Sequence, residues 1–506
     1  MRTVAGRADR VVVVGAGLAG LSAAMHLAGR GCSVTVVERE ATPGGRMGRL
    51  DIAGYRIDTG PTVLTMPQVL DETFAAVGEH AEDRLELVPV EPAYRAHFAD
   101  GRTLDVDSDA EEMIRRITDF ADAGQAAGYR RLRSWLTRLY AAEFDSFIGA
   151  NFESPLALLT PALARLIALG GFRSWDGKVA QFIDDPDLRR VFTFQSLYAG
   201  VSPQHARAAY AVIAYMDTMA GVYFPRGGMR AVPDALAAAA ESAGVWFRYG
   251  ETVTELLRSG DRVRAVRTAV GDIDCDAVVL TTELHRSHRL LGHRSRRPIA
   301  VRAAPSAVIV HLGCDRDEGI SHHSLLFGAA WQTVFREIIT SGQLMSDPSL
   351  LLTRPTAADP SLAPPGRDLL YLLAPAPNLA RGEIDWEKMG SAYAQQIIDL
   401  ARRRLGRERL RGVEVLRVVT PADWAQQDMV AGSPFALAHT FAQTGPFRPG
   451  NMVRGVANAV LAGGSTVPGV GIPPVLISGR LAADRITGPW HGAGRTHGTV
   501  ADRRAR

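Results

Sequence analysis

Three spaced glycines and one acid carry the first chemistry in this chain. Val11 to Val14 run into Gly15-Ala16-Gly17-Leu18-Ala19-Gly20, and Glu38 stands 18 residues after Gly20. Gly15 permits a tight turn, Gly17 lets backbone approach a pyrophosphate, and Gly20 lets helix and strand pack closely. The N-terminus of the helix that follows offers free N–H groups and a positive dipole end to phosphate oxygens. A carboxylate at Glu38 is placed to accept bonds from ribose hydroxyls, and it disfavours a 2′-phosphate. Strand, glycine turn, helix, strand and acid in this order predict a dinucleotide site.

The next stretch narrows the dinucleotide. Arg39 follows the acid, and Gly44-Gly45-Arg46 lies six residues beyond Glu38. A glycine pair can pass close to a ligand at unusual φ angles, and Arg46 can reach a phosphate or clamp the far half of the cofactor. An NAD enzyme has no evident need of this. The pattern resembles flavoproteins whose FAD lies extended across the domain. Gly60-Pro61-Thr62 then forms another small-residue turn where a flavin edge can lie.

The far end of the chain reads as a cover for a flavin ring. Gly463, Gly464, Gly469 and Gly471 allow close backbone approach, while Pro468, Pro473 and Pro474 stiffen the loop. Val475, Ile477, Leu481 and Ile486 then predict a helix. The helix is read from Pro474, and its N-terminus, just after Gly471, Ile472 and Pro473, would direct N–H groups and the dipole at the ring.

Motifs spread from Val11 to Ile486 resemble the bacterial-type phytoene desaturases, the FAD-dependent carotenoid desaturase family. They include PGGRMGRLDIAGYRIDTGPTVLTMP, RRVFTFQSLYAGVSP, AGVYFPRGGMRAVPDAL, FAQTGPFRPGN and VPGVGIPPVLISGRLAADRI. One departure is visible. The family's last motif usually has His before Pro-Gly, and Thr466-Val467 stand there instead. The resemblance implies an α/β fold: a discontinuous Rossmann-like FAD-binding domain, an inserted substrate domain with a mixed sheet, and a helical cap. It places Val253 near the adenine and Gly464 near the ring. It implies FAD as cofactor, phytoene or a similar polyene as substrate, and quinone or oxygen as electron acceptor.

The elements that must position these residues are discontinuous. Residues 1–67, 226–299 and 446–487 form the expected FAD-binding domain. GVWFRYGETVTELL and DCDAVVLTTEL return to it as strands. Residues 68–225 and 300–445 form the expected substrate domain, helix-rich in its first part. Residues 488–506 are polar and expected to be disordered.

Family chemistry removes a hydride and a proton from adjacent carbons, so little acid–base help is needed. Asp217 and Glu153, lone acids near apolar runs, are the catalytic candidates, since burial can raise a carboxyl pKa. A capping or hydrogen-bonded role is the commoner one for acids so placed. His322-His323 would point to opposite faces of a strand and so cannot chelate together. No metal is expected, and the cysteines at 32, 275 and 314 have neither zinc nor disulfide spacing.

The net charge of +3 implies no nucleic-acid partner. No stretch is long and unbroken enough to span a bilayer. The apolar run 155–172 can dip into a membrane surface, and the basic loop HRSHRLLGHRSRR from His285 can meet anionic headgroups. A cytoplasmic enzyme peripherally bound to the cell membrane is expected. The alternatives are a dehydrosqualene desaturase, ketolase or isomerase of the same family, a flavin amine oxidase, or a lipid carrier of the same fold.

Overall fold

Val11 to Val14 are β-branched and buried, as a strand covered on both faces requires. In the computed structural model, which describes residues 1–6, 8–154, 158–292, 300–406 and 408–489, this strand is the centre of a five-stranded parallel sheet. On one side lie Ser33–Val37 and then Trp246–Arg248; on the other lie Ala277–Leu280 and then Ala459–Leu461. Val13 pairs with both Val36 and Val279. Strand order therefore reverses beside Val14, which opens a crevice at the carboxyl ends of these strands.

Only part of the stretch read as a returning strand joins this sheet. Trp246–Arg248 does, while Glu255–Ser259 pairs antiparallel with Arg262–Arg267 in a separate three-stranded sheet. Gly250, at φ +71°, breaks the run between them.

The two insertions share one body. Tyr94–His97 and Thr103–Val106 from the first join five strands of the second in a seven-stranded sheet. All its pairs are antiparallel except that between His323–Leu326 and Tyr94–His97, so the sheet is mixed, as the sequence implied. Leu370, Leu372 and Val310 bury one face against Tyr393 and Ile397 of the helix Trp386–Leu405. Ala110–Phe120, Ala123–Glu143 and Val212–Thr218 supply the helical layer.

The first helix, Leu18–Ala28, packs against the last, Ile472–Thr487. Gly479 permits the contact. A Cβ there would collide with the Ala19 carbonyl oxygen and stand 2.8 Å from both the Ala23 nitrogen and the Ser22 Cβ. The Ser22 hydroxyl donates to the Leu476 carbonyl at 2.7 Å. Leu21, Met25, Leu476 and Leu481 are buried around it, each contributing about 2 kcal/mol. Beyond Pro489 the polar tail 488–506 lies outside the described residues.

Gly479→Ala should lower stability by on the order of 2 kcal/mol through overpacking, read as an earlier urea midpoint. Gly31→Ala is the control: nothing lies within 4 Å of the added carbon, so only its φ costs, about 1 kcal/mol.

Candidate functional site

The glycine turn and Glu38 are tied together at the crevice. Gly15, at φ +107°, donates to the Val37 carbonyl at 2.8 Å. The buried Glu38 carboxylate accepts from the Ala16 N–H at 2.6 Å and the Glu40 N–H at 2.9 Å. Each oxygen keeps a lone pair for a further donor. Arg39 is exposed and pairs with Glu40 at 3.0 Å. Leu18 and Ala19 are buried in the helix, and a Cβ on Gly20 would collide with the Gly15 carbonyl oxygen.

The second glycine pair lies directly on this turn. Gly44 donates to the Ala16 carbonyl at 2.9 Å, and a Cβ on Gly45 would stand 3.2 Å from the Gly17 Cα. Arg46 forms an ion pair with Glu283 and reaches across to Gly464, where a Cβ would sit 3.6 Å from its Nη1. Gly60 rests against the Arg46 carbonyl, beside exposed Pro61 and buried Thr62. Val253 is buried with Val12, Val14 and Val37. The accessible backbone of Gly15, Gly17, Gly45, Gly464 and Gly471 contrasts with the buried strands beneath. Such a cradle, which side chains would fill, fits an extended dinucleotide.

The carboxy-terminal loop closes over the same crevice. Ala462 donates to the Leu280 carbonyl, and Gly463, at φ +119°, donates to Ser478 Oγ at 3.0 Å. The helix begins at Ile472 behind Gly471. Pro473 and Pro474 lack N–H groups, so its first turn offers fewer donors than the sequence reading assumed. Arg448 is the clamp of this loop. Its buried guanidinium donates to the carbonyls of Thr466 at 2.9 Å, Gly464 at 2.6 Å, Gln443 at 3.2 Å and Leu437 at 3.3 Å.

Buried carboxylates hold the opposite wall. Asp58 accepts from the Met229 and Arg230 N–H groups at 2.8 and 3.1 Å, fixing the turn after Arg226. Burial pushes its carboxyl up to about 6 against those two bonds.

The two catalytic candidates part company. Asp217 is buried, bonded to the Tyr94 hydroxyl at 3.3 Å, and burial pushes it up to about 7. The rings of Tyr94 and His323 lie 5.5 Å apart, and Thr353 bridges His323 to Thr62 by bonds of 3.0 and 3.1 Å. Asp217 is thereby linked to the crevice. Glu153 takes the hydrogen-bonded role rather than a catalytic one: it pairs with Arg485 and accepts from the Arg2 N–H at 2.6 Å. Burial alone would raise its pKa, but these two donors outweigh it and hold it below the usual carboxylate range.

The histidine pair departs from its expected geometry. His322 precedes the strand His323–Leu326, and the two rings touch edge to face, centroids 4.5 Å apart. Burial depresses both, His322 to about 3. No cluster of three metal-ligating side chains occurs among the described residues.

An apolar pocket lies against the mixed sheet. Its wall includes Phe194, Tyr198, Leu325, Phe327, Leu373 and Phe435, and no charged side chain lines it. Phe435 is followed by Ala436, whose Cβ lies 3.7 Å from where a Gly464 Cβ would be.

Sequence patterns miss Glu283 and Arg448. Glu283 follows the carboxyl end of Ala277–Leu280 much as Glu38 follows Ser33–Val37, and that parallel is the signal available. Arg448 has only a weak one, an arginine ahead of Pro449-Gly450.

Comparison with known proteins agrees with this geometry. The profile described as flavin containing amine oxidoreductase matches residues 18–487. A phytoene dehydrogenase of Streptomyces griseus is 59% identical over 492 residues, 97% of each chain. A zeta-carotene-forming phytoene desaturase of Myxococcus xanthus is 36% identical, covering 96% of this chain and 95% of its own. A lycopene-forming phytoene desaturase of Paracoccus is 32% identical, covering 94% and 97%. A solved oxidoreductase from Methanosarcina mazei shares the fold, with a TM-score of 0.59 at 17% identity, covering 93% of this chain and 98% of that one. The chain belongs to the flavin-containing amine oxidoreductases and is an FAD-dependent oxidoreductase. Within them it belongs to the bacterial phytoene desaturase family.

Two outcomes follow. Arg448→Met leaves four loop carbonyls without their donor and should cost about 3 kcal/mol, with bound flavin lost on gel filtration. Asp217 binds its proton more tightly folded than unfolded, so stability falls as pH rises from about 4 through about 7. Asp217→Asn should therefore gain on the wild type between pH 5 and pH 8, by on the order of 2 kcal/mol in urea melts.

Proposed function

We propose that this enzyme desaturates phytoene, through successive steps, to lycopene. The observation that carries the reading is an uncharged apolar pocket whose wall residue Phe435 is followed by Ala436, the neighbour of Gly464 at the dinucleotide crevice. A protonated amine entering it would lose its hydration with no charge to replace it, whereas a hydrocarbon has none to lose. The 59% identity to a phytoene dehydrogenase supports the same choice.

When bound, FAD supplies the two-electron oxidising centre. The chain's own residues hold it and shape the site. In this reading Glu38 takes the ribose hydroxyls, and the turn Gly15–Gly20 takes the pyrophosphate at the helix end. Arg39, Gly44, Gly45 and Arg46, with Gly60, Pro61 and Thr62, follow the cofactor toward its ring, and Val253 lies by the adenine. Gly464, Gly471, Ile472 and Pro473 close over the ring. The pocket wall orients the polyene and excludes water.

Membrane access has its own surface. Among the described residues no helix is long and apolar enough to cross a bilayer. The helix Pro161–Ala168 leaves Ile167 58% exposed, and Leu159 just before it is 76% exposed. Phe172 and Phe441 are exposed on either side of Arg207, which donates to the Phe172 carbonyl at 3.0 Å and lies 5.6 Å from the Phe441 ring. Phe447 packs beside Phe441 with its ring tilted and the centroids 5.7 Å apart. This apolar rim suits the headgroup boundary of a membrane. Residues 155–157 and 293–299 of the two stretches read from sequence lie outside the described residues. The described part of the basic stretch is a helix, Leu284–Leu290, not a loop, and its His285 and Arg286 are bonded to Asp428 at 2.9 and 3.4 Å, so they are not free for headgroups.

The test is purified enzyme with FAD and phytoene in liposomes, with and without quinone. A red polyene is expected, and a product halting at zeta-carotene would shorten the reaction sequence. No desaturated product, together with peroxide released from an added amine, would overturn the reading. Phe172→Asp with Phe441→Asp should cut liposome co-sedimentation about tenfold or more, with flavin content unchanged.

A further inference from the structure

The desaturase reading leaves one atom unaccounted for: the proton that departs with the second C–H bond. We propose that His439 Nε2 receives it.

His439 stands between the pocket and the glycine loop. Its N–H donates to the Ala199 carbonyl at 2.8 Å, next to Tyr198 of the pocket wall, and Phe435 of that wall lies four residues upstream. Its imidazole edge faces Gly469, where a Cβ would sit 2.8 Å from Nε2 and collide with Cε1. Gly469, at φ +149°, belongs to the loop that Arg448 clamps beside Gly464. The ring is deep in the molecule and packs edge to face on Tyr210, centroids 5.1 Å apart.

Hydrogen-bond direction fixes which ring nitrogen is the base. A carbonyl can only accept, so Thr444, bonded to the Thr440 carbonyl at 2.7 Å, spends its one proton there. Its oxygen must then accept from the Tyr210 hydroxyl in the short contact between them. Tyr210 has no second proton, so its oxygen accepts from His439 Nδ1, 3.2 Å away. A neutral imidazole with its proton on Nδ1 has a bare lone pair on Nε2. Burial and the Arg448 guanidinium hold the ring neutral, well below its usual range. Glu143 is buried close enough to raise the Tyr210 pKa electrostatically, and its Oε1 has no hydrogen-bond partner. Burial pushes that carboxyl well above its usual range.

The step balances. Two C–H bonds on adjacent carbons break and one C=C bond forms. One hydrogen leaves with both electrons to the oxidised flavin, and the other leaves as a proton to Nε2, giving imidazolium. A weak base suffices, because loss of hydride beside a polyene makes the neighbouring C–H strongly acidic. A quinone acceptor later takes the two electrons with two protons, and the histidine's proton can supply one of them.

The test is anaerobic mixing of the FAD-loaded enzyme with phytoene in liposomes, following flavin bleaching. His439→Gln should bleach 10²- to 10⁴-fold more slowly than wild type, the range of a lost general base, at unchanged flavin stoichiometry. His439→Ala should be partly rescued by added imidazole. Tyr210→Phe should give a smaller loss, since it frees the tautomer. Independently of turnover, the ¹⁵N signals present in wild type and missing from His439→Gln should show a protonated Nδ1 and a bare Nε2. A proton found on Nε2 overturns the proposal, as does bleaching of His439→Gln within about threefold of wild type. Should His439→Gln lose flavin, the tautomer and the imidazole rescue decide. If wild type itself is not bleached by phytoene, the desaturase reading fails instead.

Discussion

Everything in this molecule depends on two helices touching where neither has a side chain in the way. Ser22 and Leu476 are 454 residues apart in sequence and share a hydrogen bond. Gly479 lies against Ala19 and Ala23 with no room for a methyl group. That contact brings the last helix onto the first and sets the carboxy-terminal loop over the glycine turn. Without it, the chain would hold half a dinucleotide site at each end. The penalty for filling such a close-packed contact is steep because protein interiors pack like molecular crystals.

Several buried charges in this protein hold backbone in place. Arg448 gathers four carbonyls from three loops, Asp58 takes two N–H groups, and Arg485 links Glu153, Asn451 and the amino terminus. Buried charges of this kind are expensive to leave unmatched, so each one fixes its loop in one arrangement. The polar clamps stand around the crevice, and the apolar pocket is uncharged. A hydrocarbon and a flavin need just this division: polar groups to grip phosphates and ribose, apolar walls to hold a chain that offers no hydrogen bonds.

The roles of individual polar residues were only partly legible. Asp217 behaves as a lone acid near an apolar run should, because its environment is local helix and aromatic packing. Glu153 was read by the same rule and meets Arg485 instead, a partner 332 positions away that no local pattern announces. His322 and His323 touch because His322 sits ahead of the strand, where alternation of faces does not apply. His439 gains meaning only from Tyr210 and Thr444, one distant in sequence and one on a separate turn.

By itself the sequence determined the glycine turn, the acid after the second strand, the covering loop and helix, and the α/β class. These follow from short-range rules: φ freedom at glycine, β-branched burial and helical spacing. Tertiary structure alone decided that Arg46 meets Glu283, that Arg448 ties the covering loop, and that Ala436, next to the pocket residue Phe435, abuts Gly464. The reason is physical. A side chain's partner is fixed by where whole elements come to rest, and that position results from packing summed over the chain, not from its neighbours in sequence.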